Sequence, residues 1–155
     1  MNRRLIGVIS DTHGLVRAEA ASALRGSDLI IHAGDIEEPG VLEALRKIAP
    51  VVAVRGNVDT GVWARGLRLS EIVELEAGRI LVLHDLNDLD LDLAAAGVRA
   101  VISGHSHRPC IETRAGILFL NPGSAGPRRF GFPVTVALLD VRGDSLKARA
   151  VYLEG

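Results

Sequence analysis

The chain has 155 residues, a formal net charge of −1 and 48% hydrophobic residues, a composition that fits one globular domain over residues 1–155. The chain has no basic block and only 3% aromatic residues, so its composition does not predict nucleic-acid binding. No apolar run approaches the ~20 residues that a membrane-spanning helix needs. Its single cysteine, Cys110, excludes an internal disulfide, and a basic start that runs straight into Asp11 makes a poor leader peptide, so we expect a cytoplasmic protein.

The first third of the chain alternates strand and helix patterns. Short, apolar, β-branched runs predict strands at residues 4–10, 29–32 and 51–54. An alanine-rich stretch over 16–25 predicts one helix, and apolar residues at helical spacing after Pro39 predict a second. The order βαβαβ implies a parallel sheet with crossover helices.

The rest of the chain is richer in strands. Strand and hairpin patterns cover residues 71–76, 80–83, 100–102, 111–113, 117–120, 134–141 and 146–153. Residues 89–96, ended by Gly97, predict a short helix, while 60–68 and 121–133 are typical of loops. So many strands indicate two sheets, with mostly parallel pairing in the first half of the chain and mostly antiparallel pairing in the tail.

Polar residues follow five of the apolar runs at the point where each strand ends. They are Asp11, Thr12 and His13, then Gly34-Asp35, then Gly56-Asn57 with Asp59, then His84, and finally His105 and His107. Ligands of open α/β sheets bind beyond the carboxyl ends of the strands, so these five loops are expected to meet at one crevice. The remaining histidine, His32, lies inside a strand and is predicted to be a buried, hydrogen-bonded core residue.

Each of these pieces also has an ordinary structural explanation. Asp11 and Thr12 could cap a helix, Gly34-Asp35 and Gly56-Asn57 could form simple turns, and His84 could be a core histidine. His105 and His107 are two positions apart, so in an extended chain both rings project to the same side. Taken together and in this order, the pieces predict a metal site or the remnant of one.

The combined motif order resembles that of the calcineurin-like metallophosphoesterase superfamily. The motifs are Asp-x-His, Gly-Asp, Gly-Asn-x-Asp, His and Gly-His-x-His, followed by Asn121-Pro122-Gly123-Ser124 and Pro127-Arg128. In detail they are similar to the small single-domain bacterial and archaeal phosphodiesterases, over nearly the whole span from Asp11 to Arg128. The resemblance implies a four-layer α/β/β/α sandwich, in which two mixed β-sheets are flanked by helices.

The resemblance also implies two divalent metal ions. Motif by motif, the first ion would be held by Asp11, His13, Asp35 and His107. The second would be held by Asp35, Asn57, His84 and His105, so that Asp35 bridges the two. Two carboxylates, one amide oxygen and four imidazoles without a thiolate suit manganese, iron, nickel or zinc better than copper(I). Of these we expect manganese, with nickel, iron or zinc as alternatives. We expect Cys110 to be structural. We expect Asp59 to support a metal ligand without binding the metal itself.

The implied activity is hydrolysis of a phosphodiester or related small phosphate ester by in-line attack of a metal-bridging hydroxide. Asp35, Asn57 and His105 are the predicted catalytic residues. Arg55, Arg108 and Arg128 are either phosphate contacts or solvated surface arginines. Many members of the superfamily carry a histidine where this chain has Val58, so good leaving groups should react best. They usually carry glycine where this chain has Asp85, which could bind through water or repel the substrate.

Two other functions remain open on sequence grounds. One is a non-catalytic scaffold of the same fold, as in a retromer subunit, although such a scaffold has no need of a filled set of ligands. The other is a phosphomonoesterase or nucleotide phosphatase, since loop shape decides between monoesters and diesters. Neither a membrane nor an extended nucleic acid is an expected partner, while exposed apolar strands could support a homodimer.

Overall fold

The computed structural model describes residues 3–129 and 131–153, in which ten strands and two α-helices are found. The strands are β1 Arg3–Ile9, β2 Leu29–His32, β3 Val51–Ala53, β4 Ser70–Leu75, β5 Gly78–Leu83, β6 Val98–Ile102, β7 Cys110–Arg114, β8 Ile117–Asn121, β9 Val134–Arg142 and β10 Ser145–Leu153. The helices are α1 Ala18–Leu24 and α2 Pro39–Arg46, and a 3-10 helix covers Val62–Gly66 within the predicted loop. Among the described residues no helix is long and apolar enough to span a membrane.

The strands form two five-stranded mixed sheets, which confirms the predicted sandwich. The first has the order β10-β9-β1-β2-β3, and its β1, β2 and β3 are parallel as the βαβαβ pattern predicts. The second has the order β4-β5-β6-β8-β7, with parallel β5, β6 and β8 between antiparallel edge strands. The tail hairpin β9–β10 pairs with β1 and extends the first sheet, because β9 is apolar on both faces and is buried along most of its length.

Alternating side chains of the strands fill two separate cores around the first sheet. Ile6 and Val8 face the second sheet, where Ile80, Val82 and Ile102 pack against them. On the opposite face Ile9 and Ile30 pack under the two helices. Their partners in this core include Leu24 of α1 and Val41, Leu42 and Leu45 of α2. The first sheet is therefore buried on both faces, as a parallel sheet with crossover helices requires.

The outer face of the second sheet is covered by an irregular segment, and the predicted helix over residues 89–96 is wrong. A 3-10 helix at Leu86–Asp88 and a turn ending at Gly97 stand in its place, with Leu89 and Leu93 packed on the sheet. Leucine and aspartate alternate here with a period of two, which does not build a helical apolar stripe. The carboxylates of Asp85 and Asp92 accept hydrogen bonds from the backbone N–H groups of Asn87 and Ala95, which closes local turns instead.

The loops after β1, β2, β5 and β6 meet at one end of the sandwich. Backbone hydrogen bonds join them directly: Asp11 N donates to Gly34 O and Gly104 N donates to His84 O. The segment after β8 joins the same end, since Ala125 N donates to Ser10 O. The two sheets therefore deliver their polar strand ends to a single place.

Candidate metal centre

Two carboxylates and three imidazoles come together at this end of the sandwich. Asp11 Oδ1 lies 3.3 Å from His107 Nε2 and 3.9 Å from His84 Nε2. Asp35 Oδ2 lies 3.2 Å from His84 Nε2 and 3.9 Å from His13 Nε2. Two groups have geometry that could hold a cation, Asp11 with His13 and His107, and Asp11 with Asp35 and His84, the ligand atoms of each lying within 4.8 Å of one another.

The inward atoms of this cluster are carboxylate oxygens and imidazole nitrogens that face one another. Asp11 Oδ1, His13 Nε2 and His84 Nε2 are buried, and none makes a hydrogen bond within the described part of the chain. Buried polar atoms are normally satisfied, and lone pairs directed at one another need a positive charge between them. The arrangement fits divalent metal ions, and its nitrogen and oxygen donors suit the borderline metals of the first transition row.

Five predicted ligands have backbone conformations that non-glycine residues rarely adopt. The φ angles of Asp11, His13, Asp35, His105 and His107 lie between 46° and 73°. Left-handed conformations cost free energy, so non-glycine residues keep them only where surrounding interactions hold the backbone in place. Such residues are typical of functional sites. Here the surroundings are backbone hydrogen bonds such as His13 N to Asp35 O at 3.0 Å.

Hydrogen bonds behind the ligands fix which atom of each ligand points inward. The Nδ1–H of His84 donates to Ala33 O at 2.7 Å, which leaves the Nε2 lone pair facing the two carboxylates. Asp11 Oδ2 accepts from Ser10 Oγ at 2.6 Å and from His105 N at 3.1 Å, so that Oδ1 is the free oxygen. Each of these two ligands thus offers one defined atom to the centre.

Burial and mutual contact shift the pKa values of the cluster. Burial raises the pKa of Asp11, against the opposing effect of the Ser10 hydrogen bond. Burial alone would also raise the pKa of Asp35, but the close contact with His84 Nε2, at 3.2 Å, and the charge of His84 outweigh burial and hold that pKa at about 2. Burial lowers and the two aspartates raise the pKa of His84, with a net rise. Protons therefore compete with metal for His84 in mild acid.

The carboxylate of Asp59 is almost fully buried behind the centre and organises the backbone around Asp35. It accepts four hydrogen bonds, from the N–H groups of Asp35, Ile36, Glu37 and Gly56, at 2.8–3.0 Å. This is the supporting position predicted for Asp59. A Cβ on Gly56 would collide with Asp35 N and Oδ1, so only glycine lets the two loops approach this closely.

Replacing Asp59 with alanine is expected to destabilise the protein by roughly 3 kcal/mol or more, because four buried donors lose a charged acceptor. Chemical denaturation of the metal-free protein measures the loss. Asp59→Asn is the matched control for shape, and it should recover only part of the stability because its amide nitrogen is a donor. Unchanged stability in Asp59→Ala would contradict the supporting role.

The segment that follows β8 makes hydrogen bonds to the ligand-bearing loops that follow β1 and β6. Ser124 Oγ donates to Asp11 O at 3.0 Å, and Asn121 Nδ2 donates to Gly104 O at 2.9 Å. The Asn-Pro-Gly-Ser motif found in the sequence therefore has a structural task beside the centre.

Asn57 and His105, the other predicted ligands, lie at the exposed rim. Asn57 lines a cavity of 490 Å³ together with His84 and Arg55. The His105 ring packs edge-on against that of His84, with the ring centroids 5.2 Å apart, and its side chain is 44% exposed. Both residues therefore lie beside His84. His105 is not part of either of the two groups that could hold a cation.

The predicted arginines are spread around the rim. Arg55 lines the cavity beside His84, and Arg128 lines a surface depression beside His107. Arg108 stacks over the Phe132 ring, 5.2 Å from its centroid. The exposed thiol of Cys110, at the start of β7, is outside both cation-compatible groups.

Two neighbours of the centre are not among the predicted site residues. The charge of Arg129 contributes to the lowered pKa of His107, after burial as the main cause. Glu37 Oε1 lies 3.5 Å from His13 Nδ1. Arg129 follows Arg128 in a loop and Glu37 is one of two adjacent glutamates, so no sequence pattern distinguishes either residue.

Comparison with known proteins places this architecture in a family. The family model of the calcineurin-like phosphoesterase superfamily domain matches residues 5–144. A probable metallophosphoesterase of Methanothermobacter thermautotrophicus is 38% identical over 162 residues, covering 95% of this chain and 91% of the relative.

Solved structures share the fold over almost the whole chain. An archaeal protein described as a novel phosphodiesterase superimposes with a TM-score of 0.80 at 23% identity, covering 96% of this chain and 99% of that one. Vps29 of Entamoeba histolytica, solved in complex with zinc, gives a TM-score of 0.73 at 23% identity, covering 96% and 98%. At these identities the likeness supports the fold.

Proposed function

This chain belongs to the calcineurin-like phosphoesterase superfamily and is a metal-dependent phosphoester hydrolase, and from that premise we propose that it cleaves phosphodiesters with two divalent metal ions. The observation that carries the proposal is a set of three buried atoms, Asp11 Oδ1, His13 Nε2 and His84 Nε2, that make no hydrogen bond within the described residues. Both imidazole nitrogens lie within 4 Å of Asp35 Oδ2. Such a set is stable when cations occupy it, and a pair of cations is what clamps a phosphate ester.

The residues would hold the two ions in the arrangement that the motifs imply. Asp11, His13, Asp35 and His107 would hold the first, and Asp35, Asn57, His84 and His105 the second. When bound, such ions lower the pKa of water towards neutrality and polarise a phosphoryl oxygen. Two aspartates supply two negative charges against four positive ones, so the loaded centre attracts an anionic ester.

The cavity beside His84 and Asn57 is where we place the substrate. Leu69 and Leu83 give it apolar walls, while Arg55 contributes a cation that can pair with a phosphate oxygen. The volume of 490 Å³ suits a small ester rather than a polymer. Arg55 would therefore orient the phosphoryl group, and the leucines would contact the organic part of the ester.

The residue at position 58 limits the leaving groups that the centre can expel. Val58, which stands where many relatives carry a histidine, has no proton to give to a leaving group. Leaving groups that depart as stable anions should then react fastest. We propose manganese as the preferred ion and the cytoplasm as the compartment, in keeping with the N/O ligand set and the single cysteine.

Metal analysis of the purified protein, followed by assays with bis-p-nitrophenyl and mono-p-nitrophenyl phosphate in added manganese, tests the proposal. We expect two equivalents of bound metal, faster turnover of the diester, and loss of turnover with a chelator. Faster turnover of the monoester would establish a phosphomonoesterase instead.

The second candidate is a non-catalytic scaffold, which the structural likeness to Vps29 favours. Its expected result in the same experiment is turnover of neither ester, with or without bound metal, because that Vps29 structure was itself solved with zinc. The ordered carboxylates and imidazoles weigh against it, because a scaffold gains nothing from holding five residues in left-handed conformations.

A further inference from the structure

The ring of His13 is buried and has a distinct environment at each nitrogen. Its side chain is 4% exposed, with Nε2 towards Asp35 and Nδ1 on the opposite side of the ring. Neutral imidazole carries one proton, so a ring that offers the Nε2 lone pair to a cation carries its proton on Nδ1. That buried Nδ1–H requires an acceptor.

Glu37 stands against this nitrogen. Its Oε1 is 3.5 Å from His13 Nδ1, which is within ion-pair distance, and this nitrogen makes no hydrogen bond to any other described residue. Its carboxylate is 47% exposed, so it reaches the buried ring from the solvent side and can adjust without disturbing the core.

The backbone of Glu37 is locked by the same carboxylate that organises Asp35. Its φ is 74°, and its N–H donates to Asp59 Oδ1 at 2.8 Å. Glycine or asparagine would occupy this left-handed position at lower cost than glutamate. Asp59 thus fixes the direction from which the Glu37 side chain approaches His13.

We propose that Glu37 is a positioning residue that accepts a hydrogen bond from His13 Nδ1, orients its Nε2 towards the first metal ion and strengthens the binding of that ion. A carboxylate behind a metal-ligating histidine raises the basicity of the ring and fixes its tautomer. The inference rests on the metal centre of the proposed function, and it concerns binding rather than turnover.

The two halves of the centre then differ in affinity. His84 donates its Nδ1–H to the neutral carbonyl of Ala33, whereas His13 Nδ1 faces the charged carboxylate of Glu37 at 3.5 Å. Hydrogen bonds to an ionised acceptor are about twice as strong as those between neutral groups. The ion held by His13 is therefore expected to bind more tightly than the ion held by His84.

Calorimetric titration of the metal-free protein with manganese tests this without any substrate. Glu37→Ala is expected to weaken one of the two bound equivalents by about 10–100-fold, the usual effect of losing an outer partner of a ligand, and to leave the other unchanged. Glu37→Gln keeps an acceptor but loses the charge, so its loss should be smaller. Glu38→Gln removes the same charge from the neighbouring exposed residue and should bind metal as the wild type does.

Nitrogen-15 NMR of the His13 ring in the protein loaded with zinc, a diamagnetic ion that suits the same ligands, provides a second readout. A protected Nδ1–H signal is expected in the wild type and should be lost in Glu37→Ala. Unchanged affinities for both equivalents in Glu37→Ala, or an equal loss in Glu38→Gln, would overturn the inference. So would complete loss of one equivalent, which would make Glu37 a ligand rather than a positioning residue.

The titration also separates this inference from the proposed function. Wild-type protein that binds two ions but hydrolyses neither nitrophenyl ester would remove the proposed activity and leave the role of Glu37 standing. Wild-type protein that binds no ion would overturn both.

Discussion

Replacing Asp35 with alanine is expected to remove both metal ions and all phosphoesterase turnover. Asp35 Oδ2 reaches both halves of the centre, at 3.2 Å from His84 Nε2 and 3.9 Å from His13 Nε2. Its low pKa of about 2 keeps it ionised throughout the working range of pH. Loss of a direct ligand should lower the affinity of each ion by more than the roughly 100-fold that loss of an outer partner can cause.

The expected result depends on Asp35 being the ligand that bridges the two ions. The structure also offers Asp11 as a possible bridging ligand. Asp11 Oδ1 belongs to both cation-compatible groups, so Asp11→Ala is the informative comparison. If Asp35 bridges, Asp35→Ala binds no metal while Asp11→Ala retains one equivalent. If Asp11 bridges, the two results are exchanged, and the predicted assignment is wrong.

Metal content and nitrophenyl ester turnover of both variants give the answer, with circular dichroism as a check on folding. Asp35→Asn is the matched control for shape. It keeps the acceptor for Val58 N, which donates to Asp35 Oδ1 at 3.2 Å, but lacks the charge that the cations need. Two tightly bound ions in Asp35→Ala would contradict any bridging role.

Much of the fold was predictable because the pattern of apolar residues decides it. The elements from β1 to β3 follow from β-branched runs separated by helical spacing, and the structure places them as predicted. Residues 89–96 show where that reasoning fails. Their leucines are numerous enough for a helix, but short aspartate side chains compete for backbone N–H groups, and sequence alone does not weigh the two effects.

The location of the centre was predictable from a different rule. Parallel strands present their carboxyl ends at one edge, so polar residues after β1, β2, β5 and β6 had to approach one another. Glu37 could not be found this way. Its contact with His13 depends on a left-handed backbone conformation that Asp59 imposes through space, and no short-range pattern encodes it.

Acid is expected to destabilise the metal-free protein through His32. This ring is fully buried; its Nδ1 accepts from Gly34 N at 3.0 Å, and its Nε2–H donates to Thr12 Oγ1 at 3.0 Å. Both bonds need the neutral ring, since a protonated Nδ1 cannot accept. Burial is the main cause that lowers the pKa of His32 from 6.5 to about 3.

The sign of the effect follows from the two pKa values. The unfolded chain takes up a proton at His32 below about pH 6.5, whereas the folded chain resists it down to about pH 3. The contribution of His32 is therefore fully present above pH 6.5 and is lost progressively as the pH falls towards 3. This difference in pKa between the unfolded and folded chain corresponds to about 5 kcal/mol in the free energy of unfolding. The free energy of unfolding should change by up to about 1.4 kcal/mol per pH unit over this range.

Urea denaturation at several pH values in the presence of a chelator measures this slope. His32→Asn cannot titrate, so it should be less stable than the wild type at neutral pH but lose less stability between pH 6.5 and 3. All other histidines are present in both proteins, so the difference between the two curves isolates His32. Parallel curves for the wild type and His32→Asn would mean that His32 takes up its proton equally well in the folded and unfolded chains, in spite of its burial.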